Sequence, residues 1–255
     1  MVEFPSVPAG EPLVVSATVY TTYLKCPEQA RARLAGTYPD ESRESFRGML
    51  AHRVFARHLA EGDVDGTGMV QVCREEIGRS LNPKLVALGL TPSKLESVVR
   101  EVGDLFERFK RFPADGFQTA ERLVEHEAAP GVTLRGRVDA VFVAEGDRIR
   151  IVDWKTGGLG AAEPQLDFYA LLWTLDSGTP PATVEAASVT SGERYVAEPD
   201  PARLEQTAQA IGGLVAELRS AAAAGEELPR TAGPWCRYCP LLDSCEEGRA
   251  AVLPG

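Results

Sequence analysis

The sequence predicts a mixed α/β fold in which helices flank a central sheet and a helical region precedes it. Three features support this prediction. Helix-periodic segments fill residues 13–112, strand-like runs separated by turn residues follow at 119–154, and a helix, two strands and a final helix come after them. A chain of 255 residues, 44% of them hydrophobic and 25% charged, can bury one substantial core.

Four helices are expected in the N-terminal region, at 13–34, 42–61, 69–90 and 92–112. Ser16 or Thr18 is a suitable N-cap for the first helix, and Thr91 or Ser93 for the last. The second helix repeats apolar side chains every three or four positions, as an amphipathic helix requires: Phe46, Met49, Leu50, Val54, Phe55 and Leu59. The segment GDVDGTG at 62–68 predicts a loop, because glycine and aspartate favour turns.

The remaining elements mix strands and helices. Strands are expected at 119–129, 132–144, 148–154 and, as a pair, within 182–198. Helices are expected at 163–176, after the glycine-rich loop 157–164, and at the alanine-rich segment 200–224. We therefore expect three parts of one compact unit: an N-terminal helical region (1–118), a core (119–226) and a short cysteine-bearing tail (227–255).

Composition restricts the possible function classes. No apolar run reaches the roughly 18 residues of a membrane span, and the N-terminus lacks the features of a secretion signal, so we expect a cytoplasmic protein. The five cysteines should then be reduced or metal-bound. A net charge of −10 is unusual for a nucleic-acid-binding protein, but residues 25–58 carry seven basic against four acidic residues. That segment suits either a local phosphate-binding surface or a solvated helix of mixed charge.

Two aspartates interrupt strands that are otherwise apolar. Asp139 follows Val138, and Asp153 follows Val152, with Lys155 two residues later. A charge in a half-buried strand is costly unless it is paired or binds a metal. Asp153 and Lys155 share a face because strand side chains alternate in direction. Alone, the D-x-K pattern is equally typical of a surface hairpin with a solvated ion pair.

The connection between the two strands decides whether the aspartates meet. A two-residue turn at Gly146–Asp147 would place Asp139 on the wrong face of the sheet. A three-residue loop at Glu145–Asp147, or a bulge, would place Asp139 directly opposite Asp153. A catalytic role for the two aspartates therefore requires the longer loop or the bulge.

The residue types around these aspartates suit phosphate chemistry. Two carboxylates can bind Mg²⁺ or Mn²⁺, and the backbone carbonyl of Trp154 is a further candidate ligand. Such a metal lowers the pKa of a water, while Lys155 stabilises developing negative charge. Gln165 and Tyr169 share a helix face and can orient a substrate, and the imidazole of His52 is an additional candidate metal ligand. Taken singly, these last three residues are more typical of ordinary helix packing.

Together the motifs resemble a known family. GMLAH (48–52), GRVD (136–139), VDWKTG (152–157) and QLDFY (165–169) resemble, in this order, the motifs of RecB-type nucleases of the PD-(D/E)XK superfamily. The resemblance spans about residues 16–246 and implies a restriction-endonuclease-like core. It assigns metal binding to His52, Asp139 and Asp153, catalysis to Asp139, Asp153 and Lys155, and DNA positioning to Gln165 and Tyr169. Asp153 stands where some members of the family carry glutamate.

The tail contains three cysteines with the spacing of a metal knuckle, Cys236-x₂-Cys239-x₅-Cys245. A fourth thiolate is required. We prefer Cys26 to Cys73, which lies in an apolar segment typical of a buried cysteine. Spacing alone does not separate a Cys₄ zinc site from a [4Fe–4S] cluster. The chain is similar to the iron–sulfur subgroup of RecB-like nucleases, which includes CRISPR-associated exonucleases and AddB-type subunits, and this resemblance implies the cluster, with zinc as the alternative.

The resemblance implies a metal-dependent deoxyribonuclease that acts as an exonuclease on single strands or DNA ends. DNA repair and CRISPR spacer processing are both compatible, with a helicase or a CRISPR adaptation protein as partner. Two other classes compete: a non-catalytic DNA-binding scaffold that partners a helicase or integrase, and a zinc-stabilised interaction module with solvated aspartates. Trp235, Arg237 and Tyr238 flank the knuckle and suit either local packing or stacking on a single strand.

Overall fold

The computed structural model describes residues 2–62, 64–144 and 146–252. The strands in these ranges are β1 Leu13–Ser16, β2 Phe117–Ala129, β3 Val132–Ala144, β4 Arg148–Lys155, β5 Thr183–Ser188 and β6 Arg194–Ala197. The α-helices are α1 Ala17–Tyr23, α2 Pro27–Leu34, α3 Arg43–Glu61, α4 Val64–Thr67, α5 Met69–Glu76, α6 Asn82–Leu88, α7 Pro92–Phe109, α8 Glu163–Ser177, α9 Pro201–Ala224 and α10 Glu246–Val252. A π-helical turn, Ile77–Leu81, joins α5 to α6, and 3₁₀ turns at Pro234–Tyr238 and Leu242–Ser244 precede α10.

One mixed sheet is built around β3. Strand β2 pairs antiparallel with β3 along one edge. Along the other edge, β1 runs parallel to the start of β3, at 132–135, and β4 pairs antiparallel with its end, at 140–144. Helix α8 connects β4 to the parallel strand β5, which pairs antiparallel with β6. Residues 136–139 of β3 therefore lie in the gap where one neighbouring strand stops and the other begins.

Helices cover both faces of the sheet, and each face has its own apolar core. Residues of α1, α8 and α9 pack on one face, around Leu134 and Ile151. Residues of α3, α5 and α7 pack on the other face, around Phe142 and Trp154. This mixed α/β architecture, with a central mixed sheet flanked by helices, agrees with the fold class that the sequence predicts.

A chain of aromatic rings fixes α3 against the end of β4. The ring of Phe55 on α3 stacks on that of Phe109 on α7, with 4.2 Å between centroids. Phe109 in turn meets Trp154 of β4 edge to face at 5.0 Å. Because Trp154 lies between Asp153 and Lys155, this packing sets the distance between α3 and the residues singled out in the sequence.

The start of the chain differs from the prediction. Residues 13–34 were expected to be helical throughout, but Leu13–Ser16 form β1, because pairing with β3 satisfies their backbone groups. Ser16 still caps the following helix, and its Oγ accepts a hydrogen bond from the Val19 amide at 3.2 Å. The N-terminal region thus contributes a strand to the sheet as well as helices.

Other differences have local causes. The single helix expected at 69–90 is interrupted by the π-helical turn, since Pro83 lacks an amide hydrogen and crowds the preceding turn. The loop expected at 62–68 contains the short helix α4, and its residue Asp63 lies outside the described residues. In the tail, helix α10 forms where the sequence shows no clear periodicity. None of the helices in the described ranges is both long and apolar enough to cross a membrane.

Phe55→Ala removes the ring that connects α3 to α7. We expect the free energy of unfolding to fall by about 3–5 kcal/mol, because a large buried side chain is lost and a cavity remains. Val70→Ala, at a side chain that is 63% exposed, should change it by less than about 0.5 kcal/mol. Urea unfolding followed by circular dichroism measures both variants, and equal losses would contradict this role of Phe55.

Candidate active site

The candidate site lies where β3 and β4 separate. Their ladder ends at the pair Ala140 and Val152, and in this register Asp139 lies opposite Asp153. At the other end, the pair Ala144 and Arg148 leaves three residues between the strands. The longer connection and the facing aspartates are thus confirmed, although Glu145, the first residue of the connection, lies outside the described residues.

Asp139 takes the place of a backbone partner beyond the end of the ladder. Its Oδ2 accepts a hydrogen bond from the Trp154 amide at 2.8 Å, and its Oδ1 lies 3.2 Å from Nδ1 of His52 on α3. The carbonyl of Lys155 faces β5, where it accepts a hydrogen bond from Val189. Because successive carbonyls of a strand point in opposite directions, the Trp154 carbonyl faces the Asp139 side.

Two motif glycines allow helices to approach the site. A Cβ atom at Gly48 would lie 3.2 Å from Oγ1 of Thr156, directly after the end of β4. A Cβ atom at Gly136 would lie 3.1 Å from the ring of Tyr169 on α8. A Cβ atom at Gly48 would crowd Thr156, and one at Gly136 would crowd the Tyr169 ring, so both glycines allow a close approach between a helix and a strand of the site.

A hydrogen-bonded network holds Asp153 and Lys155. The Lys155 ammonium lies 2.7 Å from Oδ2 of Asp153 and donates to Oε1 of Gln165 at 2.6 Å. The amide nitrogen of Gln165 donates to Oδ1 of Asp153 and to the Tyr169 hydroxyl, both at 3.0 Å. Gln165 and Tyr169 therefore orient the aspartate and the lysine from α8. Direct DNA contact by these two residues stays a prediction.

Both aspartates are shielded from water. Asp153 is 4% exposed, and the Asp139 side chain is 13% exposed. The interpretation of this hairpin as a surface element with solvated aspartates is therefore wrong. The hypothesis of a zinc-stabilised interaction module assumed solvated aspartates, so it no longer explains Asp139 and Asp153.

Three side chains form a candidate metal centre. His52, Glu121 and Asp139 each place one potential ligand atom within 4.8 Å of the other two. Imidazole and carboxylate donors are ligands that Mn²⁺ accepts, and carboxylates also suit Mg²⁺. Of the metal ligands expected from the sequence, His52 and Asp139 belong to this group. Asp153 lies across from Asp139 and is bound to Lys155 instead.

Glu121 is the site residue that sequence reasoning missed. It lies on β2, and its backbone has a left-handed φ of 52°. Glu121, Glu125 and Glu127 all occupy odd-numbered positions of one strand. This pattern by itself predicts that all three glutamates face solvent. The register of β2 against β3 places Glu121 between the pairs Ala120–Ala140 and Arg122–Val138, so Glu121 lies opposite Asp139. Burial and the negative charge of Asp139 raise its pKa above the ordinary value.

The carboxylates control the charge of the histidine. Burial disfavours the imidazolium, but Asp139, Asp153 and Glu121 outweigh this effect and raise the pKa of His52 to about 9. Burial and the charge of Asp139 raise the pKa of Asp153 to about 6, although Lys155 and His52 oppose the shift. At neutral pH the metal-free site therefore holds a protonated His52 beside Asp139.

The predicted cluster cysteines of the tail lie where the tail packs beside α2, next to Cys26. Burial raises the pKa of the Cys239 thiol, a hydrogen bond from the Leu241 backbone opposes this shift, and the neighbouring thiols Cys236, Cys26 and Cys245 add to it. The amide of Gly233 donates to Sγ of Cys236 at 3.4 Å, and that of Gly248 donates to Sγ of Cys245 at 3.3 Å. Backbone amides therefore lie against two of the three tail sulfurs.

Protein contacts bring the tail to Cys26. The buried carboxylate of Glu28, on α2 directly after Cys26, accepts a hydrogen bond from the Leu228 amide at 3.0 Å. The Glu28 amide donates to the Pro229 carbonyl at 3.2 Å. Arg31 pairs with the same carboxylate, so the buried charge is compensated. Cys73 is buried in the apolar core on the other side of the sheet, away from the tail.

Comparisons with known proteins agree with this geometry. A profile of the PD-(D/E)XK nuclease superfamily matches residues 14–246. A crystal structure described as a "putative exonuclease" from Eubacterium rectale has a TM-score of 0.54 at 15% identity, covering 95% of this chain and 90% of that one. The structure of SSO0001 has a TM-score of 0.40 at 15% identity, covering 94% and 88% of the two chains. Among curated proteins, no sequence matches significantly.

The first of these structures supports the fold, whereas the family profile extends over nearly the whole chain and includes both strands of the site. Members of that family are nucleases that use divalent metals. The chain belongs to the PD-(D/E)XK nuclease superfamily.

Proposed function

We propose that this protein hydrolyses phosphodiester bonds in DNA with the help of Mg²⁺ or Mn²⁺, acting as an exonuclease on single strands or DNA ends. The observation that carries the proposal is the buried Asp153, bound to the half-buried Lys155 and facing Asp139 across the opened ladder. A scaffold protein without catalysis has no need for charges that are costly to bury. Roles in DNA repair or in spacer processing, with a helicase or an adaptation protein as partner, rest on the sequence resemblance alone.

The metal would be held by His52, Glu121 and Asp139, with Asp153 and the Trp154 carbonyl at the same opening of the sheet. When bound, a divalent metal supplies a Lewis acid that neutralises charge on phosphoryl oxygens and makes water more acidic. The side chains of His52 and Asp139 remain 25% and 13% exposed, so a phosphate and a metal can reach them. The site is thus accessible at the metal ligands and closed around Asp153.

Lys155 is the proposed catalytic cation. Its ammonium is fixed by Asp153 and Gln165, and it points to the same face of β4 as the aspartate. A fixed ammonium in a partly dehydrated site stabilises the negative charge that develops on a phosphate during hydrolysis. Gln165 and Tyr169 act as positioning residues, because they reach the reaction through Asp153 and Lys155.

Asp153→Ala and Lys155→Ala should each lower the rate of DNA cleavage about 100-fold or more, since one removes the carboxylate that fixes Lys155 and the other removes the cation itself. The measurement is degradation of end-labelled single-stranded DNA with Mn²⁺ or Mg²⁺, with a chelator control. Asp176→Ala and Lys94→Ala remove the same charges from exposed helix positions and should cleave like the wild type. A folded wild type that binds DNA and never cuts it would instead support the non-catalytic scaffold.

Metal binding should strengthen as the pH rises. Because the pKa of His52 is raised to about 9, a metal must displace its proton, and the Mn²⁺ affinity should rise about tenfold per unit between pH 7 and 8. Titration calorimetry at several pH values measures this slope. His52→Ala should bind Mn²⁺ more weakly and with a smaller slope, and Glu121→Gln should bind more weakly.

Glu125→Gln provides the matched control, because Glu125 is an exposed glutamate on the same strand as Glu121. It should leave Mn²⁺ affinity unchanged. A wild-type affinity that is flat or falls with pH would contradict displacement of the His52 proton.

The four cysteines are proposed to hold a [4Fe–4S] cluster. The contacts of Glu28 with Leu228 and Pro229 bring the tail beside Cys26, which supports a four-thiolate site, and the amide donors at Cys236 and Cys245 suit bound sulfur. When bound, the cluster would fasten the tail to α2, in addition to the contacts of Glu28.

Protein purified without oxygen should contain about four iron ions and four sulfides per chain. Cys236→Ser should lose most of this iron and unfold at a lower temperature, because the tail loses an attachment. Cys73→Ala, at a buried cysteine outside the group, should retain the iron. Elemental analysis and thermal unfolding measure both effects, and one zinc ion in place of iron would overturn the cluster while keeping the four-cysteine site.

A further inference from the structure

A groove of about 860 Å³ lies beside the cysteine-bearing tail. Residues 38–42, which precede α3, form one side of it, and Arg237 and Tyr238 of the tail contribute to another. Lys84 of α6 also lines the groove. None of the proposed catalytic residues lies in this lining, so the groove is separate from the site described above.

Two exposed tyrosine rings line the groove. Tyr38 is 59% exposed and Tyr238 is 72% exposed. The guanidinium of Arg33 lies 5.4 Å from the centroid of the Tyr38 ring, where it adds a cation beside an aromatic face. Exposed aromatic rings with neighbouring arginines bind unpaired bases of any sequence, because every base has a π-face.

The charges of the groove do not by themselves attract a polyanion. The lining carries as many basic as acidic side chains: Arg33, Lys84, Arg237, Asp40, Glu41 and Asp243. Lys84 pairs with Glu41. Within the described part of the chain, Arg33 and Arg237 make no ion pair and can contact phosphates. Stacking on the tyrosines therefore has to supply most of the affinity, which favours unpaired bases over a duplex.

Helix α3 connects the groove to the candidate metal centre. Ser45 lines the groove, and Ser45, Gly48 and His52 are spaced by three and four residues, so they share one face of the helix. Ser45 and His52 are about 10 Å apart along the axis. Stacked bases rise about 3.4 Å each, so a strand in the groove reaches His52 within about three nucleotides.

The same face continues past the metal centre. A second groove of about 380 Å³ is lined by Arg53 and Ala56 of α3 and by Glu121. His52 therefore lies between two openings along α3, and Glu121 lies at the second of them. A strand that follows α3 would pass the metal ligands with its backbone supported on both sides.

We propose that a single strand of DNA binds along α3, with its unpaired bases stacked on Tyr38 and Tyr238 and its backbone passing His52. The proposal rests on the proposed nuclease function and specifies its substrate as single-stranded. Arg33 and Arg237 contact phosphates next to the stacked bases. A duplex binds poorly in this groove, because its bases are already stacked and paired.

The test is equilibrium binding of a labelled single strand and of the matching duplex, without added divalent metal so that cleavage does not interfere. The double variant Tyr38→Ala/Tyr238→Ala should bind the single strand about tenfold or more weakly, because two stacking faces are lost. Its duplex affinity should change less than about twofold, since the proposal gives the tyrosines no paired base to contact. Tyr38→Phe/Tyr238→Phe keeps the rings and should bind like the wild type.

Tyr195→Ala is the matched control, because Tyr195 is a partly exposed tyrosine on the edge strand β6, away from the groove. It should leave both affinities unchanged. Tyr238 precedes Cys239, so the metal content of each variant is measured as well. If Tyr238→Ala loses metal, the single variant Tyr38→Ala decides the outcome, with a loss of at least about threefold expected.

A strand with a short run of abasic positions provides an independent test. Removal of those bases should weaken binding to the wild type and have little further effect on the double tyrosine variant, because both changes remove the same contacts. Unchanged single-strand binding in the double variant, or additive losses with the abasic strand, would overturn the proposal. If single-strand binding depends on the tyrosine rings but the wild type never cuts DNA, the proposed binding groove is supported and the proposed nuclease function is contradicted.

Discussion

The hydrogen bond between the Trp154 amide and the Asp139 carboxylate is the interaction on which the site depends. It replaces a rung of the β3–β4 ladder at the point where the strands separate. A buried amide needs a partner, and here a side chain provides it, so β3 is free to diverge from β4 without an unsatisfied donor. The remaining oxygen of Asp139 faces His52. One carboxylate thus ends the ladder and begins the candidate metal centre.

Three carboxylates lie close together at this opening, and the site has to compensate their negative charges. Burial, followed by the charge of Asp139, raises the pKa of Asp153 and of Glu121. Cations compensate on each side: Lys155 is bound to Asp153, and the protonated His52 is bound to Asp139. A divalent metal can take over the second of these roles, because it brings more charge to the same oxygens. In the metal-free site, the proton on His52 therefore supplies positive charge that the proposed metal would supply when bound.

Two sets of contacts between distant parts of the sequence support the site. The aromatic contacts among Phe55, Phe109 and Trp154 hold α3 at the end of β4. At the far end of α3, the contact between Glu28 and Leu228 closes the tail against α2 and so forms one side of the groove. Helix α3 therefore extends from the groove beside the cysteine-bearing tail to the opening between β3 and β4. This arrangement depends on packing between segments about 200 residues apart in the chain.

Periodicity alone determined the parts of the site that lie within one element. Strand alternation placed Asp153 and Lys155 on one face, and helical spacing placed Gln165 beside Tyr169. The loop length required for Asp139 to meet Asp153 was also derived from the sequence, because register is fixed by counting residues across a hairpin. Most helices and strands were predicted within a few residues, since their apolar patterns are strong.

Tertiary structure alone decided the features that depend on pairing between separate segments. Strand β1 exists because its backbone groups pair with β3, which no local pattern reveals. Glu121 joins His52 and Asp139 because the register of β2 against β3 places it opposite Asp139. Tyr38 and Tyr238 share a groove only after the tail has folded back onto α2. Sequence periodicity describes the direction of a side chain within its own element, whereas these contacts depend on where separate elements meet.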